Sequence, residues 1–264
     1  MSDAAELKSC CAAAYQSDFA RLLLGDCFHP GGLELTARLG ELLALAPCDH
    51  VLDAASGRGE TAIFLARRFG CRVTGLDLAA GNIAAARSRA EAVGVANLIR
   101  FEVGDAERLD YADSSFDAVV CECAFCTFPD KRRAAGEFAR VLQAGGRLGL
   151  SDLTRSSVLP PQLNGLLAWI ACIADAQPAS EYISYFNAEG FETMSVETHD
   201  EALSQMIRDI QGRLLAVELM VKLKNIDLAG VNFQQVKTMA ASAADGVRSR
   251  LLGYSIITAR KTCG

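Results

Sequence analysis

Residues 50–62 read HVLDAASGRGETA, and this stretch decides the fold. The run His50–Asp53 is typical of a short buried strand, and Thr61–Phe69 after the loop has the spacing of a helix. Between them, Gly57–Ala62 fits the pattern G-x-G-x-x-A, in which glycines let the backbone turn tightly and approach a ligand. A plain tight turn gives the same pattern, so this loop alone leaves its function open.

Strands and helices alternate through the middle of the chain. Further strands are predicted over Arg72–Asp77, Ile99–Val103, Phe116–Cys121 and Arg147–Leu150, and helices over Ile83–Val93 and Lys131–Leu142. Gly145 and Gly146 are expected to close the last of these helices. Such alternation indicates βαβ units and a parallel sheet.

The second half of the chain is less regular. An apolar helix is predicted over Leu159–Ala176, because the pair Pro160 and Pro161 is a helix start signal. It is followed by a helix (Tyr182–Glu189), a strand (Phe191–Glu197), two amphipathic helices (Asp200–Lys224 and Asn232–Leu251) and a final strand (Gly253–Arg260). We interpret residues 1–264 as a single domain. It has an N-terminal helical cap (1–45), a core (46–153), a lid helix (154–182) and last strands (183–264) whose helical insertion (200–251) is a lid or a homodimer surface.

The composition is that of a packed domain without a broad cationic surface. Of 264 residues 51% are hydrophobic, which excludes a largely disordered chain. The net charge of −6 argues against nucleic acid or an anionic membrane as the main partner. Neither a secretory signal nor a membrane-spanning run is recognisable, so we expect a cytoplasmic protein with reduced cysteines.

Acidic residues follow the first three predicted strands. Asp53 precedes the glycine loop, Asp77 ends the second strand, and Asp105 follows the third. The carboxyl ends of parallel strands meet at one edge of a sheet, so Asp77 can accept both hydroxyls of a ribose and Asp105 an adenine amino group. A nicotinamide enzyme is an alternative, although it leaves the residues after the third and fourth strands unexplained.

Ordered segments along the chain together resemble the class I S-adenosylmethionine-dependent methyltransferases over residues 30–153. Asp53–Gly59 is similar to the family's D-x-G-x-G-x-G loop, with Ala55 in place of the first glycine and Ser56 as the small residue. Phe116–Val120 matches the fourth strand, and Arg140–Gly146 resembles the R-V-L-x-P-G-G turn before the fifth. The resemblance implies an α/β, Rossmann-like, seven-stranded, mostly parallel sheet with helices on both faces and an antiparallel last strand.

The same resemblance implies S-adenosylmethionine as the cofactor. The residues expected to bind it are Asp53, Ala55, Ser56, Gly57, Gly59, Asp77, Leu78, Asp105, Ala106 and Cys121. Methyl transfer from a sulfonium mainly needs positioning and exclusion of water. A soft acceptor needs no base, whereas a hydroxyl or ammonium acceptor does, and His29 and Asp152 are the candidate bases. His29 also fits a plain surface turn.

Three of the ten cysteines lie in residues 121–126, CECAFC, at the end of the fourth strand. This strand end borders the expected acceptor pocket. Buried free cysteines behave as small apolar residues, so simple packing is one interpretation. A structural zinc site lacks a second cysteine pair or a histidine cluster, and we expect no resident metal.

The second interpretation is a thiophilic acceptor. Residues 123–131, CAFCTFPDK, resemble the strand-four segment of arsenite methyltransferases, in which a cysteine stands six residues before Pro-Asp-Lys. Trp169–Cys172 and Leu24–Cys27 are similar to that family's W-x-x-C and Y-G-C-type segments. The resemblance implies that Cys27, Cys123 and Cys172 bind arsenite as soft thiolates. Cys126 departs from the usual Asn, and the vicinal pair Cys10 and Cys11 fits either a metalloid relay or helix packing.

We therefore interpret the chain as an S-adenosylmethionine-dependent methyltransferase with a small-molecule acceptor. Arsenite, or another thiophilic compound, and an ordinary metabolite methylated on oxygen, nitrogen or carbon remain the alternatives. A non-catalytic module that binds cofactor or metalloid is the rival from another class. The intact cofactor loop favours the enzyme.

Overall fold

The computed structural model describes residues 6, 8, 18–25, 28–164, 168, 171–223 and 232–262. Its centre is a seven-stranded sheet with the order β3-β2-β1-β4-β5-β7-β6. The strands are β1 (His50–Ala54), β2 (Arg72–Asp77), β3 (Ile99–Val103), β4 (Phe116–Glu122), β5 (Leu142–Arg155), β6 (Phe191–Thr198) and β7 (Leu252–Lys261). The pairs β1–β2, β1–β4, β2–β3 and β4–β5 are parallel, while β7 runs antiparallel between β5 and β6. The mostly parallel sheet and its antiparallel last strand are thus confirmed.

Helices follow the strands as the alternation predicts. They are α1 (Asp18–Leu24), α2 (Gly32–Leu42), α3 (Glu60–Phe69), α4 (Ala80–Ala92), α5 (Lys131–Val141), α6 (Ala179–Ala188), α7 (Asp200–Lys222) and α8 (Phe233–Arg248). The last two form the predicted insertion between β6 and β7. Within the described ranges, no helix has the length and apolar character needed to cross a membrane.

The two faces of the sheet carry separate hydrophobic cores because successive strand residues point to opposite sides. Val51 packs with Leu39 of α2 and Leu65 of α3 in one core. Its neighbour Leu52 belongs to the other core, which contains Phe138 of α5 and Phe186 of α6. Helices therefore cover both faces, as expected, and the cavity described below lies at the edge where the parallel strands end.

The predicted helix over Leu159–Ala176 is wrong in its second part. A short 3₁₀ turn, Pro161–Leu163, ends at Asn164 in extended conformation, and residues 171–175 form turns. Cys172 has a φ of 62°, a left-handed conformation that cannot continue a right-handed helix. Residues 154–182 therefore do not form one lid helix.

The fifth strand begins earlier than predicted. Helix α5 ends at Val141 and β5 starts at Leu142, which pairs with Phe116. The register shifts before the next paired residues, and Gly145 has a φ of 73° within this irregular stretch. The two glycines thus form a bulge inside the strand rather than a helix stop, because a bulge needs the same backbone freedom.

Candidate active site

A cavity opens at the carboxyl ends of β1, β2 and β4. Its lining combines acidic, glycine-loop and aromatic residues: Lys8, Phe28, His29, Asp53, Ala55, Ser56, Gly57, Arg58, Glu60, Thr61, Leu76, Asp77, Leu78, Asn82, Gly104, Asp105, Ala106, Glu122, Cys123, Ala124, Thr127 and Phe128. The structure thus brings together eight of the ten residues expected to bind cofactor. Gly59 and Cys121 are not in this lining.

The glycine loop presents one glycine to the cavity and packs the other. At Gly57 an added Cβ would meet nothing within 4 Å, so the backbone there is open to a ligand. At Gly59 the φ is +83° and an added Cβ would lie 2.6 Å from the Phe101 ring. Ala55 adopts a φ of 61° at the position where the resembled family has glycine, a conformation that costs an alanine about 1 kcal/mol.

Asp77 is fixed at the end of β2 by three donors. The backbone N–H groups of Gly57 and Ala79 donate to it at 2.8 and 2.9 Å, and the Asn82 side chain donates at 3.1 Å. Burial raises the pKa of Asp77, and these hydrogen bonds oppose that rise. The carboxylate is therefore preorganised at the rim of the cavity, where the ribose is expected.

Asp53 is the most isolated acid of the site. It is only 2% exposed, and its Oδ2 atom has no hydrogen-bond partner. Burial is the main cause that raises the pKa of Asp53 well above its ordinary value, and the charges of Glu122 and Asp77 add to the rise. The buried Ser56 hydroxyl also lacks a partner. Unsatisfied buried polar groups around a cavity indicate a bound polar ligand.

An ion pair lies on the side of the cavity where adenine is expected (the adenine side). Lys8 donates to Asp105 at 2.7 Å and lies 2.6 Å from Glu107. Leu78 and Ala106 line the same side of the cavity. Cys121 is fully buried in the core beneath, which corrects its assignment to the cofactor. Its side chain and that of Glu122 point to opposite sides of β4, since strand residues alternate.

Glu122, at the end of β4, accepts hydrogen bonds from three hydroxyl groups on the side of the cavity where the methyl acceptor is expected (the acceptor side). Thr36 and Thr61 donate hydroxyl hydrogen bonds to its Oε2 atom at 2.9 and 2.6 Å. Ser151 donates to Oε1 at 3.0 Å and itself accepts from the Tyr254 hydroxyl. Sequence reasoning missed Glu122, although it stands inside the quoted CECAFC run.

His29 lies beside this carboxylate. It is 8% exposed, and its Nε2 atom is 3.7 Å from Oε2 of Glu122 and 3.5 Å from the Thr36 hydroxyl. Its Nδ1 atom contacts the carbonyl oxygen of Pro30 at 3.3 Å. A carbonyl can only accept, so this contact is compatible with a proton on Nδ1, while Nε2 faces the Glu122 carboxylate and the Thr36 hydroxyl. His29 is thus a buried residue on the cavity wall, rather than a surface turn residue.

Three thiols meet behind the acceptor side. The Cys172 thiol donates to the Cys123 carbonyl oxygen at 3.2 Å, and it is also hydrogen-bonded to the thiols of Cys123 and Cys126. The hydrogen bond to Cys172 and burial raise the pKa of Cys123. Burial is the largest cause of the raised pKa of Cys126. Cys123 lines the cavity, whereas Cys126 and Cys172 lie in the core behind it.

Asp152 lies under the thiols rather than in the cavity lining. It is 1% exposed and accepts from the Cys126 N–H at 2.9 Å and from the Leu153 N–H at 2.8 Å. Burial, followed by the neighbouring Cys172, raises the pKa of Asp152 to about 7. An acceptor in the cavity would meet His29 before Asp152.

Several predicted residues lie outside the described ranges. These are Cys10, Cys11, Cys27 and Trp169. Among the residues that are described, no group of three or more His, Cys, Asp or Glu side chains could hold a metal ion.

The comparisons with known proteins agree with this geometry. Residues 52–150 match a family model described as a methyltransferase domain. The 27-O-demethylrifamycin SV methyltransferase of Amycolatopsis mediterranei (strain S699) is 30% identical over 234 residues, which are 86% of this chain and 82% of that protein. The chain belongs to the S-adenosylmethionine-dependent methyltransferases.

Two further relatives of this methyltransferase match over shorter regions, and a solved structure matches over nearly the whole chain. The methyltransferase GfsG of Streptomyces halstedii is 30% identical over 61% of this chain, and the match spans 58% of that protein. An arsenite methyltransferase of Halobacterium salinarum is 29% identical over 60% of this chain and 41% of that protein. A phosphoethanolamine N-methyltransferase 2 of Haemonchus contortus, solved with S-adenosylhomocysteine, superposes with a TM-score of 0.81 at 17% identity, covering 97% of this chain and 61% of that one. That likeness supports the fold.

The residues of this methyltransferase fit S-adenosylmethionine. Asp53 has an unpartnered buried oxygen, and Gly57 leaves open space beside it. The carboxylates of Asp53, Asp77 and Glu122 around one cavity suit a ligand that carries a sulfonium and an ammonium charge. Lys8 and Glu122 are among the lining residues that the sequence patterns did not single out.

Proposed function

We propose that this methyltransferase transfers its methyl group to a hydroxyl of a small organic molecule, with His29 as the general base. The observation that carries the proposal is a buried histidine that lines the cavity, with its Nε2 atom 3.7 Å from Oε2 of Glu122. When bound, S-adenosylmethionine supplies an electrophilic methyl group on a sulfonium.

The chain's own residues then have separate roles. Pro30 holds the His29 ring by its Nδ1–H, which leaves Nε2 to accept the hydroxyl proton. The Glu122 carboxylate stabilises the imidazolium that results, because the charges are then opposite and close. Phe28 and Phe128 line the acceptor side and favour an apolar molecule that excludes water around the reacting atoms.

The name of one relative supports an oxygen acceptor. The rifamycin enzyme, which matches 86% of this chain, is named for O-methylation. Its identity of 30% leaves the skeleton of the acceptor open.

The test is a methyl-transfer assay with matched alcohols, phenols, amines and thiols, carried out on the wild type and on His29→Asn. Asparagine can donate to Pro30 but cannot accept the proton as a base. We expect kcat with a hydroxyl acceptor to fall about 10²- to 10⁴-fold, with the Kd for S-adenosylmethionine unchanged. Transfer that is confined to amines or thiols, or an unaltered kcat in His29→Asn, would refute the proposal.

A thiophilic acceptor is the second candidate, and the thiol cluster favours it. Support comes from the proximity of Cys123 and Cys172, two of the three cysteines implied by the resemblance to arsenite methyltransferases, with Cys126 beside them. The raised pKa values mean that these groups are thiols near neutral pH, so each As–S bond would form with loss of a hydroxyl group of arsenous acid and the thiol proton as water. One relative is named an arsenite methyltransferase.

This candidate is tested by alkylation of the cysteines with and without arsenite. We expect saturating arsenite to protect Cys123 and Cys172, and Cys123→Ser to abolish arsenic methylation. Cys71→Ser is the matched control, because Cys71 is a buried free cysteine that donates to the Leu65 carbonyl in the other core. Alkylation that arsenite leaves unchanged argues against a thiophilic acceptor.

A further inference from the structure

We infer that Glu122 recognises the positive charge on the sulfonium and thereby makes this methyltransferase prefer its cofactor over the demethylated product. The inference rests on the cofactor placement proposed above, with Asp105 near the adenine and Asp77 near the ribose. It assigns Glu122 a function beyond holding His29.

The order of the strands places Glu122 on the sulfonium side. Asp105 follows β3 and Asp77 ends β2, while Asp53 lies on β1 and Glu122 ends β4. The sheet order β3-β2-β1-β4 therefore runs from the adenine side through the ribose side toward Glu122. The sulfur is attached to the ribose, so the reacting end lies beyond Asp77 in this direction.

The Glu122 carboxylate is preorganised for this role. Thr36, Thr61 and Ser151 donate to its two oxygens, and Tyr254 donates in turn to Ser151. Glu122 is only 9% exposed, yet it lines the cavity. A carboxylate that is fixed before binding stabilises a nearby cation without reorganisation.

A second carboxylate shows that this end of the cavity favours a cation. Asp53 is 2% exposed, lines the cavity and has an oxygen without a partner. The negative charge of Glu122 acts unfavourably on ionised Asp53. Two basic residues, Lys8 and Arg58, also line the cavity, and Lys8 is paired with Asp105 and Glu107. A ligand cation between Asp53 and Glu122 would relieve their repulsion.

Methyl transfer changes the charge that Glu122 meets. The bonding pair of the broken carbon–sulfur bond stays on sulfur, and the methyl group forms its new bond with the acceptor. The sulfur then carries no charge, so the attraction to Glu122 is lost. The product keeps its adenosine and amino-acid parts, and its other contacts are unaltered.

The experiment measures Kd by calorimetry for three ligands that differ at the position of the sulfonium. S-adenosylmethionine carries the sulfonium, sinefungin carries a protonated amine in its place, and S-adenosylhomocysteine is neutral there. We expect Glu122→Gln to raise the Kd values of S-adenosylmethionine and sinefungin about 10- to 100-fold. The Kd of S-adenosylhomocysteine should stay within about threefold, because only the charged ligands lose the attraction to a unit charge. Glu122→Asp, which keeps the charge, should retain most of the preference.

Ser151→Ala is the matched control for structure. It removes a donor to the same carboxylate without removing the charge, so the ratio of the three Kd values should persist. Equal weakening of all three ligands in Glu122→Gln, or no weakening of any, overturns the inference. Absence of binding to the wild type would instead reject the proposed cofactor site, and this outcome is separate. If Glu122→Gln does not fold, the same three Kd values are measured in Glu122→Ala, where weaker binding confined to the two charged ligands supports the inference and an equal change for all three ligands refutes it.

Discussion

The ammonium group of Lys8 lies 2.7 Å from Oδ2 of Asp105, the carboxylate expected to accept from the adenine amino group. Two donors thus compete for one oxygen. Because the Asp105 side chain is 37% exposed, the ion pair contributes about 0.2–1 kcal/mol. Lys8→Met is therefore expected to tighten S-adenosylmethionine binding up to about fivefold, as measured by calorimetry.

Asp105→Ala provides the control for this competition. It should weaken binding in the wild type and abolish the gain from Lys8→Met, since the contested oxygen is gone. Weaker binding in Lys8→Met would mean that Lys8 holds the cofactor instead of competing with it.

Cofactor affinity should depend on pH through Asp53. Burial and the charges of Glu122 and Asp77 raise the pKa of Asp53, and only its ionised form attracts a cation. S-adenosylmethionine binding is therefore expected to strengthen as pH rises through that pKa. Asp53→Asn should bind more weakly at high pH and lose this part of the pH dependence, which titrations from pH 5 to pH 9 would measure. If the affinity of Asp53→Asn for S-adenosylmethionine changes with pH as it does in the wild type, Asp53 is not the source of the pH dependence.

The two loop glycines should separate ligand binding from stability. Gly57→Ala places a methyl group in open space beside the cavity, so we expect weaker cofactor binding and a loss of about 1 kcal/mol of stability from its φ of +53°. Gly59→Ala would place its Cβ 2.6 Å from Phe101 and 2.9 Å from Ala86. We expect it to cost about 2–4 kcal/mol. Urea unfolding and calorimetry on both variants test this contrast.

Asp152 should make the fold less stable as pH rises. The pKa of Asp152 is raised from 3.8 to about 7 in the folded protein, so folding favours the protonated form. Its contribution is fully present below the unfolded pKa and is lost as pH rises through the folded pKa. The free energy of unfolding should therefore fall by at most about 1.4 kcal/mol per pH unit between pH 4 and pH 7. Urea unfolding of Asp152→Asn should lack this slope, and an identical slope in the variant would exclude Asp152 as its source.

The sequence predicted the sheet well because period-two strands and helical segments alternate locally. It placed β1, β2 and β3 nearly to the residue, and it located the acids Asp53 and Asp77 at the correct edge. It failed over Leu159–Ala176, where apolar residues suggest a helix but Cys172 adopts a left-handed conformation. Tertiary contacts, including the bond from Cys172 to Cys123, determine that segment.

The acceptor side was harder to predict because its residues come from distant parts of the chain. His29 is a candidate from sequence, but its partner Glu122 is 93 residues away. Glu122 ends a strand in which the sequence patterns single out only cysteines. For Cys126 the sequence leaves simple packing as one interpretation, and only the fold shows that its thiol meets Cys172. Periodicity reports which face a residue occupies, whereas it carries no information on which distant side chain it meets.

The position of β7 has a consequence for the biosynthesis of this protein. This strand lies between β5 and β6, and its Tyr254 supplies the donor that fixes Ser151 against Glu122. The strands β1 to β4 can pair as soon as they leave the ribosome, but the Glu122 network stays incomplete until residue 254 has been made. Such long-range pairing is slow. A nascent chain should therefore hold a partly formed glycine loop well before it can discriminate between ligands by charge.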